Sequence, residues 1–199
     1  MYIGQEIKVF GEWFIIHFTE NNGMAFGMEF AGENGKLFLS IFRIIAVGGL
    51  VYYIRHLVKE KAHTGYITCV ALILAGAVGN IIDSMFYGLL FSESYHKVAT
   101  FLPEGGGYAP FLYGRVVDML YFPLVQGYMP DWVPIWGGEY IIFFRPVFNI
   151  ADTAISSGVF AIIIFQKRFF KEEAKNKIET VNTESPLENL ESSTETKIE

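Results

Sequence analysis

Three stretches of this chain stay apolar long enough to cross a bilayer, and polar residues gather between them. A spanning helix needs about 20 apolar residues, because the hydrocarbon layer is ~30 Å thick and each helical residue rises ~1.5 Å. Residues 37–58 (LFLSIFRIIAVGGLVYYIRHLV) form the first stretch. Its one interruption, Arg43, is expected to snorkel toward the interface. Residues 66–87 (YITCVALILAGAVGNIIDSMFY) form the second, and the third is predicted over residues 140–166. That last stretch is longer than a span requires and contains Pro146, so its first turns should be kinked or lie outside the bilayer. The remainder reads differently. Residues 6–20 are rich in β-branched and aromatic side chains, predicting two strands with a turn near Gly11 and Glu12. Residues 21–35 are glycine-rich and should be irregular. Residues 88–139 carry three consecutive glycines at 105–107 and five prolines, and read as an aromatic lobe lying on the bilayer. The predicted class is a mainly α membrane protein, a transmembrane helix bundle with a small extracytoplasmic β element.

Basic residues orient the bundle. Arg55, Lys59 and Lys61 flank the 59–65 loop, and Lys167, Arg168 and Lys171 follow the third stretch. Positive charge accumulates on the cytoplasmic side, so both regions should lie there, with residues 1–36 and 88–139 outside. Residues 1–36 would then be outside with no helix before them. A first transmembrane helix is therefore expected to be missing from this chain.

Composition sharpens the class. Hydrophobic residues make up 52% and charged residues 18%, which excludes a disordered chain and argues against an ordinary soluble domain. The net charge of −6 sits mostly in residues 171–199, with eight Glu and four Lys, and the tail from 172 should be disordered. No basic patch interleaved with aromatics is present, so nucleic acid is not an expected partner. The single cysteine, Cys69, excludes an intrachain disulfide and a cysteine-rich metal site, and reads as a small core residue. The histidines at 17, 56, 63 and 96 do not cluster, and His56 and His63 read as part of a solvated basic face. No cofactor or metal is expected.

The aspartates carry the candidate chemistry. The chain has only four, and three lie in apolar surroundings: Asp83 in GNIIDS, Asp118 in GRVVDML and Asp152 in FNIADTA. An ionisable group in a membrane segment costs about 2.5–3.5 kcal/mol on insertion scales, which makes it a functional candidate. Asn80 and Asp83, and again Asn149 and Asp152, are spaced i, i+3, so on a helix each amide shares a face with its carboxyl and can orient it. Helical rise puts Asp83 and Asp152 ~26 Å and ~20 Å from the cytoplasmic side, both in the outer part of the bilayer. Asp118 can reach the same level. Two close carboxyls share a proton, and such a pair can activate water and protonate a leaving amine. The residues alone leave open which two of the three form the pair. They also leave the plainer reading of single helix-packing aspartates. Gly76 and Gly79, beside Ala75, read as close helix packing.

Four segments in this order, ENNGMAFGM, GAVGNIIDS, GRVVDML and FNIADTAISSG, resemble bacterial lipoprotein signal peptidase, also called signal peptidase II. The resemblance covers roughly residues 20–165. It implies a four-helix inner-membrane aspartyl endopeptidase with an extracytoplasmic β-cradle, which cuts before the diacylglyceryl-modified cysteine of prolipoproteins and is inhibited by globomycin. Prolipoprotein signal peptides and membrane lipid are the implied partners. By motif, Asp118 and Asp152 become the catalytic pair. Asn80 and Asp83 line and support the site, Asn149 orients Asp152, Asn21 and Gly23 lie near substrate, and Gly76 matches a site-facing glycine. The chain departs from the family where Ser84 stands in place of an arginine, so a cation near the pair is lost or supplied from elsewhere, with Arg115 or Arg145 as candidates. The separation of Asp83 from Asp118 is also unusually long. Its extra residues, about 85–113, should form a flap over the site or a membrane-lying arm. Two other readings compete: an ion or proton carrier using Asp83, Asp118 and Asp152, and a non-catalytic membrane scaffold.

Overall fold

The computed structural model describes residues 1–22 and 32–171. Gly23, most of the glycine-rich 21–35 segment and the tail from 172 lie outside the described residues. In chain order the elements are β1 (Glu6–Phe10), β2 (Phe14–Asn21), α1 (Gly32–Lys59), α2 (Thr64–Leu90), β3 (Val116–Tyr121), β4 (Val125–Tyr128), β5 (Tyr140–Phe143), β6 (Val147–Phe148) and α3 (Ile150–Lys171). All three helices are long and apolar enough to cross a membrane. Their outer faces keep large apolar residues exposed, among them Phe38, Ile45, Tyr52 and Ile164, as lipid contact requires.

The third span differs from its predicted bounds. Residues 140–148 form β5 and β6, and the helix begins at Ile150. Pro146 supplies no N–H for a helix and biases Arg145 toward an extended backbone. Asn149 then caps the helix that follows, in a manner described below.

The loop between α1 and α2 closes by a Schellman turn. Lys61 adopts φ +53°, Ala62 N–H donates to the Leu57 carbonyl at 2.9 Å, and Lys61 N–H to that of Val58 at 3.1 Å. Leu57 and Ala62 pack with Val70 in a small buried cluster at this end of the bundle. His56 is exposed and His63 half-buried: His63 Nδ1 accepts from Gly65 N–H at 3.0 Å at the start of α2, and its ring lies 5.0 Å from that of Phe169.

Small residues let α2 and α3 approach closely. A Cβ on Gly76 would strike the Ala151 carbonyl oxygen and come within 2.7 Å of Ile155 Cγ1. At the far end a Cβ on Gly158 would lie 2.6 Å from the carbonyl oxygen of Cys69, which is buried. Backbone cannot yield there as a flexible side-chain tip would. Gly76→Ala is accordingly expected to destabilise the bundle by about 1–3 kcal/mol, read as a lowered Tm in detergent. Gly114 approaches α2 in the same way. Its N–H donates to the Ser84 carbonyl at 2.8 Å, and a Cβ there would meet the Asp83 carbonyl oxygen at 2.5 Å. This seats the start of β3 on the C-terminal end of α2.

Strands β1, β2, β3 and β6 form one antiparallel sheet in that order, while β4 and β5 form a separate two-stranded ribbon. The predicted strands and turn of residues 6–20 are present as β1 and β2. The β2–β3 register slips by one between Ile16 and Thr19, where Phe18 N–H pairs instead with the Gln5 carbonyl at 2.9 Å. Beyond the slip Thr19 faces Asp118 and Asn21 faces Val116. Side chains alternate with period two, so the slip turns Asn21 and Asp118 to the same face. In the unslipped register they would point to opposite faces.

Candidate active site

Four elements meet at the end of the bundle opposite the α1–α2 loop, and each contributes polar side chains: Asn21 from β2, Asn80 and Asp83 from α2, Asp118 from β3, and Asn149 and Asp152 at the start of α3. Asn149 joins them. Its Nδ2 donates to Asp118 Oδ1 at 2.8 Å and to Asn80 Oδ1 at 3.0 Å. Its backbone N–H donates to Asp152 Oδ2 at 3.2 Å, and its Oδ1 accepts from Asp152 N–H at 2.9 Å. The last two bonds are a reciprocal capping box, with Asn149 at the N-cap and Asp152 three residues on. Asn80 Nδ2 completes the hold on Asp152, donating to Oδ1 at 2.9 Å. Asn21 Nδ2 donates to Asp118 Oδ2 at 3.2 Å. Asp118 and Asp152 are thus tied through one asparagine, and each carboxyl accepts two N–H donors.

The two Asn-x-x-Asp repeats therefore do different work, against the expectation of one shared geometry. In the α3 repeat a backbone amide, not the side-chain amide, reaches the carboxyl. In the α2 repeat Asn80 turns away from Asp83 to Asp152, and Asp83 Oδ2 accepts from Val117 N–H at 3.4 Å. Asp83 is a bracket between α2 and β3, one residue from Asp118. Gly76 sits one helical turn below Asn80, and its lack of a Cβ lets α3 come close enough for these bonds.

Electrostatics set Asp118 apart. The residue is 4% exposed. Burial pushes its pKa above the ordinary value, and the Asp152 carboxylate pushes it the same way. The Asn21 and Asn149 amides and the Arg43 guanidinium offset part of this rise.

Arg43 is the residue that sequence reasoning missed. It was expected at the interface, yet it lies within electrostatic reach of both Asp118 and Asp152. Ser40, one turn earlier on α1, donates its hydroxyl to the Leu112 carbonyl at 2.9 Å, which turns this face of α1 toward the segment entering β3. The candidates named from sequence serve elsewhere. Arg115 is bound to Glu20 Oε2 at 2.9 Å and Glu93 Oε1 at 2.6 Å, and Arg145 is exposed. Ser84, in place of the family arginine, is buried, with its hydroxyl on the Asn80 carbonyl at 3.0 Å.

The Arg115 cluster braces the inserted segment. Glu20 Oε1 also accepts from the Ser94 hydroxyl at 2.5 Å, and Arg115 N–H donates to the Tyr108 hydroxyl at 2.7 Å. These bonds lock residues 93–115 to β2 beside Asn21. Among the described residues no group of three or more His, Cys, Asp or Glu side chains is arranged to hold a metal ion. The side chains assembled at the site are three carboxyls and three amides, with the Arg43 guanidinium in electrostatic reach.

The chain is similar to known proteins in both sequence and fold. The family model described as signal peptidase (SPase) II matches residues 1–168. The lipoprotein signal peptidase of Porphyromonas gingivalis is 50% identical over 169 residues, covering 84% of this chain and 73% of the relative. That of Amoebophilus asiaticus is 42% identical over 184 residues, covering 92% and 73%. Two solved bacterial membrane enzymes share the fold. One has a TM-score of 0.51 at 26% identity, covering 84% of this chain and 74% of its own, and the other a TM-score of 0.50 at 27% identity, covering 82% and 76%.

Proposed function

This chain belongs to the signal peptidase II family, and we propose that Asp118 and Asp152 are the two catalytic carboxyls with which it removes signal peptides from prolipoproteins. The chain is an aspartic-type, multi-pass membrane peptidase. The observation that carries the assignment of the pair is the two hydrogen bonds that Asn149 donates, from its side-chain amide to Asp118 and from its backbone N–H to Asp152. Asp83 has no bond to either carboxyl among the described contacts and serves β3 instead. The ion-carrier and scaffold readings gain no support from the family.

The reaction proceeds as follows. Asp118, with its raised pKa, holds the proton that the pair shares. Asp152 accepts N–H donors at the N-terminus of α3, where a negative charge is favoured, and serves as the base. A water between the two carboxyls gives up a proton to Asp152 as its oxygen attacks the scissile carbonyl. Asp118 donates a hydrogen bond to the developing oxyanion. The amine leaves with a proton returned from the pair, which restores one proton shared between two carboxyls.

Arg43 supplies the positive charge in this scheme. Loss of its charge raises the pKa of Asp118, because a nearby cation favours the carboxylate form. Arg43→Gln is therefore expected to move the alkaline limb of the pH–activity profile, where Asp118 loses its proton, to higher pH, and Arg43→Lys to restore most of the shift. An unmoved profile in Arg43→Gln would remove this role.

The substrate is a prolipoprotein whose cysteine carries a diacylglyceryl group, with cleavage before that cysteine. The site is read as lying on the extracytoplasmic side of the bacterial inner membrane, since the basic ends of α1 and α3 fall on the opposite side. Membrane lipid and globomycin-type inhibitors follow as partners. Asn21 and, by the family motif, Gly23 are assigned to substrate binding. A gel-shift assay of a diacylglyceryl-modified prolipoprotein, with the chain reconstituted in lipid, tests the reading.

A further inference from the structure

Among the described residues the ribbon of β4 and β5 has no further sheet partner, and its apolar side chains point outward on both faces. Val125 pairs with Phe143 on one face and Tyr128 with Tyr140 on the other, and all four are more than half exposed. Beyond them the tip exposes Trp132 at 81% and Ile135 at 87%. An isolated two-stranded ribbon is marginal in water, and one that exposes this much apolar surface calls for a covering medium.

Its base indicates which medium. The ribbon leaves and re-enters the sheet at Tyr121 and Val147, which pair with each other. Val147 lies three residues before α3, so the base is within ~10 Å of where a membrane-spanning helix begins. A row of rings runs through the same place. Phe10 stacks on Phe14 at 6.1 Å, Phe14 on Phe122 at 4.8 Å, and Phe122 on Phe148 at 5.8 Å, with Phe144 a further 5.9 Å on. Phe10, Phe144 and the adjoining Trp13 are exposed. Only three of residues 119–148 are charged, Asp131, Glu139 and Arg145, so little in the segment resists leaving water. Tryptophan and tyrosine beside the start of a spanning helix are the composition of a membrane interface.

We propose that the β4–β5 ribbon and the aromatic row at its base lie in the outer interfacial layer of the bilayer, with the Trp132–Trp136 tip inserted among lipid headgroups and upper acyl chains. The committed occupant is bilayer lipid, not a second copy of the chain or a soluble partner. This contact holds the sheet that bears Asp118 at the depth at which α3 presents Asp152.

The test uses the full chain in lipid nanodiscs with Trp13→Phe, leaving Trp132 and Trp136 as the only tryptophans. Lipid brominated at shallow acyl positions should lower their fluorescence by about half or more relative to plain lipid. Aqueous iodide should quench them little. Equal emission in brominated and plain lipid overturns the proposal. If the rings are then also shielded from iodide, protein covers them, from this chain or a second copy. If iodide reaches them, the ribbon stands in water. Trp136→Phe in the same background repeats the measurement on Trp132 alone. The readout is fluorescence, so its failure leaves the assignment of the catalytic pair untouched.

Discussion

Asp152→Asn is expected to lower cleavage of a diacylglyceryl-modified prolipoprotein by about a thousandfold or more, within the range that positioned acid–base groups supply. The asparagine keeps the size of the side chain and an oxygen that accepts from Asn149 N–H, so the helix start survives. What disappears is a group able to take the proton of the attacking water. Asp118→Asn should do equal damage for the complementary reason, since an amide cannot pass a proton to the oxyanion or the leaving amine. The double variant should be hardly worse than either single one, because the pair acts as a unit. Asp83→Asn separates bracket from catalyst: its amide oxygen still accepts from Val117 N–H, so activity should fall only modestly. Near-normal cleavage by Asp118→Asn or Asp152→Asn would end the dyad assignment, and a loss in Asp83→Asn as deep as theirs would redraw it.

Asn149→Ala is the second large effect. It removes the bonds to Asp118 and Asn80 and the acceptor of Asp152 N–H. Cap loss costs about 1 kcal/mol of stability. Freeing two carboxyls from a shared anchor should cost roughly a hundredfold in kcat with KM little changed, since misplacement by about 1 Å is enough for that. Asn149→Asp distinguishes positioning from simple stability. It restores an N-cap acceptor, so Tm should recover. It also places a third carboxylate against the pair and cannot donate to Asp118, so kcat should not. Recovery of kcat in Asn149→Asp would show that capping alone was at stake.

Spans, a β element, and the family were legible because each rests on local pattern. Two of the three helices were placed within a few residues by length and hydropathy, and the third was misjudged at its start because residues 140–144 are as apolar as a span. The difference lies in Pro146 and the Asn149 cap, which stop one structure and start another. Asp118 and Asp152 were identified as candidates from their apolar surroundings, but choosing between Asp83 and Asp118 needed the resemblance. The reason is visible in the bonds: Asp83 accepts from Val117 N–H, next to Asp118 in the chain, and Asp118 meets Asn21 only through a register slip between strands about a hundred residues apart in sequence. Arg43 stayed hidden because its target lies on other elements, and no local signal separates a snorkelling arginine from one turned inward. The Glu20, Glu93 and Arg115 cluster was hidden for the same reason.

The capping box at Asn149 also has a temporal consequence. Asp152 acquires its orienting N–H partner only when the backbone of α3 coils, and Asn80 can reach it only when α3 lies against α2. On the proposed pairing, a nascent polypeptide that has threaded α1, α2 and the sheet carries Asp118 without an oriented Asp152. Proteolytic competence then arises in a single step, as α3 docks, and is withheld until the bundle has closed.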